Sequence, residues 1–308
     1  MQRSNSKMTT ILLSAVFTMS IGISLNASAD DSEVKKSSFM SRMTSSANSF
    51  LSEGIGRLLS PNFDTVEVNT NLKEGDSSVD IGVLMTYGDN RNSFLFNQFN
   101  LNRYDNRTTS NIGLGYRRLN TDETWLTGIN AFYDLESPDN HKRNGVGFEL
   151  ISSVLESRVN IYNGITGYVV DKSGTPSKVL DGRDMGFKVV LPYLPGIIFG
   201  MNAVQWKGID SMKDVKSTKY TLGGNLSDNL SISYERRDYK SATTKDTDSI
   251  NLNYTWHFGQ EKSIRPTLFT FSDKAYEFKK LGSESYDLVK RENRIAKLKQ
   301  FSAIASGF

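Results

Sequence analysis

From Val66 to Phe258 the chain alternates apolar and polar residues with a period of two, the signature of β-strands that expose two different faces to two different environments. Twelve such runs can be read: Val66–Leu72, Val79–Tyr87, Phe94–Leu101, Asn111–Arg117, Trp125–Tyr133, Arg143–Leu150, Glu156–Tyr162, Asp184–Leu191, Ile197–Trp206, Lys219–Leu226, Leu230–Arg237 and Ser249–Phe258. In Asn111–Arg117, Ile112, Leu114 and Tyr116 share one face, and Asn111, Gly113, Gly115 and Arg117 share the other. A soluble sandwich, its apolar faces packed together, would show the same alternation. Phe94–Leu101 and Ile197–Trp206 alternate poorly.

Connection lengths and aromatic positions separate these architectures. By the limits above, connections after odd-numbered runs are on average longer than those after even-numbered runs, and Asn163–Arg183 is the longest. Short turns at one end and long loops at the other characterise outer-membrane barrels. If the N-terminus is periplasmic, Tyr87, Phe94, Tyr116, Trp125, Trp256 and Phe258 gather at the periplasmic rim as an aromatic girdle, with Tyr133 and Tyr220 at the outer rim. The expected fold is all-β: a twelve-stranded antiparallel transmembrane barrel over residues 63–259, closed because lipid offers a strand edge no hydrogen bonds.

The flanks refine the picture. Arg3 and Lys7 precede an apolar stretch, Ile11–Leu25, and Ala27-Ser28-Ala29 fits a signal-peptide cleavage site, giving residues 1–29 as a signal peptide. Residues 30–62 are expected to be a periplasmic N-terminal segment in which Phe39, Met40, Met43, Ala47, Phe50 and Leu51 recur at helical spacing. The 308 residues are 37% hydrophobic and 11% aromatic, with net charge +3, which gives no bulk electrostatic reason to expect nucleic acid as a partner. With no cysteine, closed backbone pairing rather than disulfides must hold the fold.

Several motifs resemble the intimin/invasin family of inverse autotransporters. They are Asn111-Ile112-Gly113-Leu114-Gly115-Tyr116-Arg117, Gly128-Ile129-Asn130-Ala131-Phe132-Tyr133-Asp134, Arg143–Leu150, Asn160–Gly164 and Leu191-Pro192-Tyr193-Leu194-Pro195, in the family's order. The resemblance singles out Gly113, Gly115, Tyr116, Arg117, Gly128, Asn130, Phe132 and Asp134 as family motif positions. It implies an outer-membrane translocator for an adhesin, in which the chain beyond the last strand re-enters the pore and leads to a surface-exposed passenger involved in cell adhesion. It also implies outer-membrane lipid, the barrel assembly machinery and periplasmic chaperones as partners. Ile250, Leu252, Tyr254, Trp256 and Phe258 resemble the signal that assembly machinery reads in a last strand.

Residues 260–308 are then a linker plugging the lumen. Ser272–Gly282 predicts a two-turn helix, capped by Ser272 or Asp273, carrying Tyr276 and Phe278 and ended by Gly282. Twelve strands enclose a backbone diameter of roughly 24 Å, which leaves room for one helix. Tyr286–Ile295 resembles the family's exit sequence, but the alternation expected next is degraded at Ala296-Lys297-Leu298-Lys299. No passenger domain is expected in the residues that follow, so a truncated adhesin, a solitary barrel and a partner for a separately encoded passenger stay open, as does a host receptor. An open diffusion channel is the alternative function.

No catalytic site, metal site or cofactor is expected. Of the two histidines, His141 is placed in an outer loop and His257 near the periplasmic rim, both expected to be solvated. A barrel phospholipase would need a serine two residues past its histidine, where Arg143 stands.

Overall fold

The computed structural model describes residues 63–299 and 305–306, except 74–76, 89, 171–174, 210–211, 241–243 and 260–264. The signal peptide and the amphipathic helix expected before residue 63 lie outside the described residues.

Twelve strands close on themselves: β1 (Thr65–Lys73), β2 (Ser78–Tyr87), β3 (Ser93–Tyr104), β4 (Arg107–Leu119), β5 (Trp125–Ser137), β6 (His141–Ser152), β7 (Leu155–Gly164), β10 (Gly182–Leu191), β11 (Leu194–Trp206), β12 (Val215–Asn225), β13 (Leu230–Tyr239) and β14 (Thr247–His257). Every neighbouring pair is antiparallel, and β14 returns to β1 with Trp256 opposite Val66 and Ile250 opposite Leu72. Two short strands, β8 (Val169–Val170) and β9 (Pro176–Val179), lie in the long β7–β10 connection. They form a second sheet with β15 (Lys297–Lys299) and β16 (Ala305–Ser306) in the order β16-β15-β9-β8.

The faces are inverted relative to a soluble protein. Ile112, Leu114, Ile129, Val146, Phe148, Ile161, Leu222 and Ile250 are exposed on the outside, while Asn100, Asn111, Arg117, Asp134, Arg143 and Asp184 are buried inside. A polar interior and an apolar exterior follow from the period-two register once the outer face meets hydrocarbon. The low apolar content of the chain is sufficient because only one face of one layer requires it.

We call the end carrying the start of β1 and the end of β14 the near rim, and the opposite end the far rim. The long-loop rhythm holds only in the second half of the chain. The β3–β4 connection at the far rim is just Asp105 and Asn106, with φ of 42° and 55°, the double positive φ of a type I′ hairpin turn. Polar residues at the strand ends, such as Asn102 and Thr109, are buried lumen-facing residues, so the strands extend past the limits set by the apolar pattern. Phe94 departs from the expected girdle: it points inward and is buried, as is Phe96 two residues on.

Candidate functional site: the lumen and the threaded C-terminal segment

Beyond β14 the chain does not form the helix expected at Ser272–Gly282. It runs extended beneath the barrel, touching one near-rim turn after another. Leu268 N–H donates to Asn225 O (2.9 Å), Ser272 N–H to Tyr193 O (3.0 Å), and Tyr193 N–H to Ala275 O (3.2 Å). Lys279 N–H donates to Ser153 Oγ (2.8 Å) and Leu281 N–H to Glu123 O (2.8 Å). Asn225 ends β12 at the β12–β13 turn, and the other partners belong to the β10–β11, β6–β7 and β4–β5 connections in turn. Three turn-to-turn steps of about 12 Å each cover roughly 37 Å of rim. Thirteen residues reach that far extended, at ~3.3 Å each, but cover only about 20 Å as a helix. Reach, and main-chain groups already claimed by the turns, override the helical pattern. Of the residues assigned to that helix, Ser272 bonds the rim through its backbone, and Asp273 is exposed on the same strap. Tyr276 is exposed, Phe278 packs on Trp125 with ring centroids 5.6 Å apart, and Gly282 precedes a 3-10 turn, Ser283–Tyr286.

The lumen is threaded instead by the segment from Ser283 to Ile295, a 3-10 turn followed by extended chain. From Tyr286 to Ile295 an extended chain rises about 30 Å, the thickness of the hydrocarbon core. It enters where Tyr286 stacks on Phe94, with ring centroids 5.0 Å apart and planes within 10°, and where Thr65 Oγ1 donates to Tyr286 O (2.7 Å). Wall side chains then grip its main chain. Arg117 Nη1 donates to Ser285 O (2.9 Å) and Asp287 O (2.6 Å). Gln98 Oε1 accepts from Val289 N–H (2.8 Å), Asn160 Nδ2 donates to Lys290 O (3.3 Å), and Tyr162 Oη accepts from Glu292 N–H (2.8 Å). Arg143 Nη2 donates to Glu292 O (2.6 Å) and Asn111 Nδ2 to Asn293 O (3.0 Å). Deprived of water and of secondary structure, the thread's backbone groups find their partners on the wall.

A second set of contacts fixes the register by charge. Asp287 is bound by His257 Nε2 (2.8 Å) and Arg265 Nη2 (2.8 Å), and Lys290 reaches Glu67 (2.9 Å). Arg291 donates twice to Asp134, at 2.7 and 2.8 Å, and stacks over Phe132 with 4.3 Å to the ring centroid. Asp134 also accepts from Arg143 Nε (2.7 Å) and Asn111 Nδ2 (2.7 Å), so one buried carboxylate ties β4, β5, β6 and the thread. Glu292 pairs with Arg237 (3.0 Å), Asn293 with Asp80 (2.8 Å), and Arg294 with Ser78.

Of the motif positions, Arg117, Phe132 and Asp134 touch the thread, and the glycines make room for the side chains around it. Gly113 lies under the Phe132 ring and Gly115 under the Phe96 ring, where a Cβ would collide with each. Gly128 leaves room for Glu149, which pairs with Arg117 at 2.7 Å and aims it at the thread. Asn130 faces inward beside Gly147, whereas Tyr116 faces outward toward lipid. The register brings the lumen's charges together as cross-strand pairs, including Lys188–Glu156 and Lys219–Glu235 (3.5 Å).

The exit at the far rim corrects two further expectations. Lys297–Lys299 does form a strand, β15, paired antiparallel to β9 with Leu298 opposite Lys178. Its alternation looked degraded because only one face is apolar: Ala296 and Leu298 pack with Tyr162, Leu180, Val204 and Trp206, while Lys297 turns the other way to Glu136 (2.8 Å) and Asp139 (2.7 Å). Neither histidine is solvated: His257 holds Asp287, and His141 is buried with Nε2 2.9 Å from Ser177 Oγ. The Ser177–His141 pair lies beside Glu136 and Asp139. Ser177, on β9, is fully buried, and its bond to His141 ties β6 to β9. The positive charges among the carboxylates are Lys297 Nζ and the Arg107 guanidinium, 3.1 Å from Glu136.

The thread hugs the β3–β7 wall. Beside it, toward β10–β14 and β1, lies a cavity of about 1260 Å³ lined by Asn69, Asn71, Thr221, Ser233, Asn251 and Asn253 among others.

The family model for the β-domain of inverse autotransporters matches residues 5–293. The chain belongs to this family. It is 28% identical over 196 residues to the invasin of Yersinia enterocolitica, covering 62% of this chain and 22% of that one. It is 26% identical over 216 residues to the inverse autotransporter adhesin YeeJ of Escherichia coli (strain K12), covering 66% of this chain and 9% of that one. The chain thus spans only part of the curated relatives it matches. A membrane protein solved in a study of in-meso crystallization superposes with a TM-score of 0.64 at 20% identity, covering 77% of this chain and all of that one, a likeness that shows the fold alone. An inverse autotransporter β-domain of this architecture is an outer-membrane barrel.

Proposed function

We propose that this chain is the translocator of a surface-displayed adhesive protein, with the near rim in the periplasm and the far rim at the cell surface. The observation that carries the reading is the passage of the C-terminal segment from near rim to far rim, held first by its main chain and then by charge. Contacts to carbonyls and N–H groups take any side chain, so the wall can accommodate a moving polypeptide; the pairs of Asp287, Lys290, Arg291 and Glu292 define where movement stops. The names of the invasin and YeeJ relatives support adhesion as the purpose of export. Whether the adhesive passenger is joined to this barrel or supplied separately, the exit strand β15 marks where it would emerge. In this reading Ile250, Leu252, Tyr254, Trp256 and Phe258 serve a second purpose, as the strand recognised during barrel assembly. Ile250, Leu252, Tyr254 and Trp256 face outward on β14, and Phe258 N–H donates to Asp64 O (2.8 Å) just past it.

The cavity beside the thread favours a second reading, a diffusion channel. Planar-bilayer conductance of the purified chain separates the two. A translocator conducts in rare brief events until residues 261–308 are deleted, and then opens stably. Steady conductance of the intact chain equal to that of the deletion variant refutes the translocator.

A further inference from the structure

One sector of the far rim carries cations that the lumen does not use. On the outward faces of adjacent strands, Arg183 lies opposite Gln205, and Gln205 opposite Lys216. Lys240 N–H donates to Lys216 O (2.8 Å), extending the row by one more strand. The outward direction is set by register: Asp184, Val204 and Ser217, each one residue away, are buried inside. The row spans about 14 Å. Lys207 and Lys213 stand just beyond it in the β11–β12 connection, and Arg183, Lys207, Lys213, Lys216 and Lys240 are all exposed.

Their charge is only partly offset nearby. Among the described residues none of the five has a carboxylate partner in an ion pair within 4 Å. Asp238, Asp246 and Asp248, on the side of Lys240, share a single cation, Arg236, at 2.8 to 3.4 Å. Asp214 accepts from Gly208 N–H (3.1 Å) and Gln205 Nε2 (2.6 Å), and those hydrogen bonds hold its carboxyl below the usual carboxylate range. Lys216 and Lys207 lower it further, so Asp214 offsets part of their charge. Below the row on β10 and β12 the wall turns apolar, with Met185, Tyr220 and Leu222 exposed, whereas below Lys240 on β13 stand Asp238 and Arg236. A band of cations at the upper edge of an apolar wall is placed to meet the charged layer of a leaflet.

We propose that Arg183, Lys216 and Lys240, with Lys207 and Lys213 above them, form a binding site for the phosphorylated headgroup of an outer-leaflet glycolipid. Acyl chains lie on Met185, Tyr220 and Leu222, and phosphates lie against the row. The assignment of leaflet rests on the sidedness proposed above; the cation row and the apolar wall beneath it do not.

The test is equilibrium binding to the full-length, detergent-solubilised chain, read by native mass spectrometry. The probes are bisphosphorylated lipid A, its dephosphorylated form, and inorganic phosphate as competitor. The expected result is preference for the bisphosphorylated lipid, lost about tenfold or more in Arg183→Gln/Lys216→Gln/Lys240→Gln and retained in Lys274→Gln/Lys279→Gln/Lys280→Gln at the near rim. Equal binding of the two lipids, or an unaffected far-rim variant, overturns the proposal. So does phosphate competition without any preference for lipid, which would indicate a free-anion site. Should the far-rim variant fail to fold, a salt titration of the unaltered chain decides: phosphate-dependent binding must weaken steeply with ionic strength. Thiol labelling of Lys213→Cys on intact cells tests the sidedness alone, so failure of the topology and failure of the site give different results.

Discussion

Replacing Arg291 by Gln removes the charge that anchors the middle of the thread. The guanidinium is almost completely buried, makes two hydrogen bonds to Asp134 and lies over the Phe132 ring. Breaking a buried, hydrogen-bonded ion pair costs about 3–5 kcal/mol when the remaining charge is left alone. Asp134 would not be alone, because Arg143 and Asn111 still reach it at 2.7 Å, and a polar cavity lies beside the thread. The lower end of the range therefore applies, about 3 kcal/mol, with the barrel wall itself intact.

At ~1.4 kcal/mol per tenfold, the loss raises the equilibrium for displacing the thread by about a hundredfold. Planar-bilayer recording reads it directly as the fraction of time spent open, and heat-modifiable migration on gels verifies that the barrel has formed. Arg237→Gln breaks the partly exposed pair with Glu292 and should open the pore less often than Arg291→Gln. If Arg291→Gln folds normally and its open fraction equals that of the unaltered chain, the thread is not held by Asp134 and the charge register is refuted.

Leu114→Arg places a charge on the lipid face and should destabilise the barrel by about 2–4 kcal/mol in urea unfolding from vesicles, whereas Asn69→Arg beside the cavity should leave stability nearly unchanged; equal effects would mean the faces are misassigned. Gly113→Val drives a side chain into the Phe132 ring and should cost about 1–3 kcal/mol, seen as a lower urea midpoint, while the outward Leu114→Val is mild by comparison. Lys297→Gln leaves Asp139 without its cation and Glu136 with Arg107 alone, and should speed proteolysis of the β7–β10 connection around Lys178; an unchanged cleavage rate means that β15 pairing alone secures the exit.

All twelve barrel strands were legible in the sequence, because a period-two pattern facing hydrocarbon survives loop variation. Their ends were not: Asn102 and Thr109 look like loop residues until a polar lumen is there to receive them. Phe94 was assigned to the girdle since an aromatic at a strand end satisfies either face, and only register against β4 turns it inward onto Tyr286. Gly113, Gly115, Arg117 and Asp134 could be picked out as a motif, yet their purpose depends on partners such as Phe132, Ser285 and Arg291, some of them more than a hundred residues away. Ser272–Gly282 misled for the opposite reason: its local signals for a helix are genuine, but the rim demands reach. Glu136, Asp139 and Lys297 carry no signal at all along the chain, because the socket exists only after β5, β6 and β15 meet.

The thread's two kinds of contact answer different physical needs. A chain crossing a bilayer inside a barrel must bond each N–H and C=O as it goes, and an extended segment cannot do so internally. Were the wall to satisfy it by adding it to the sheet, the barrel would have to open, and closure is what makes the barrel stable in lipid. Side-chain donors solve the conflict: Arg117, Arg143, Asn111 and Asn160 reach carbonyls from strands whose own backbones stay fully paired. Such donors are indifferent to what passes, so they cannot by themselves hold one register. Specific register then requires charges on the thread itself, and Asp287, Lys290, Arg291 and Glu292 stand in the stretch where the wall offers His257, Glu67, Asp134 and Arg237. A polypeptide lacking that charge sequence would be accommodated by the same wall yet find no stopping point, which is the property a conduit needs from its lining and a plug needs from its sequence.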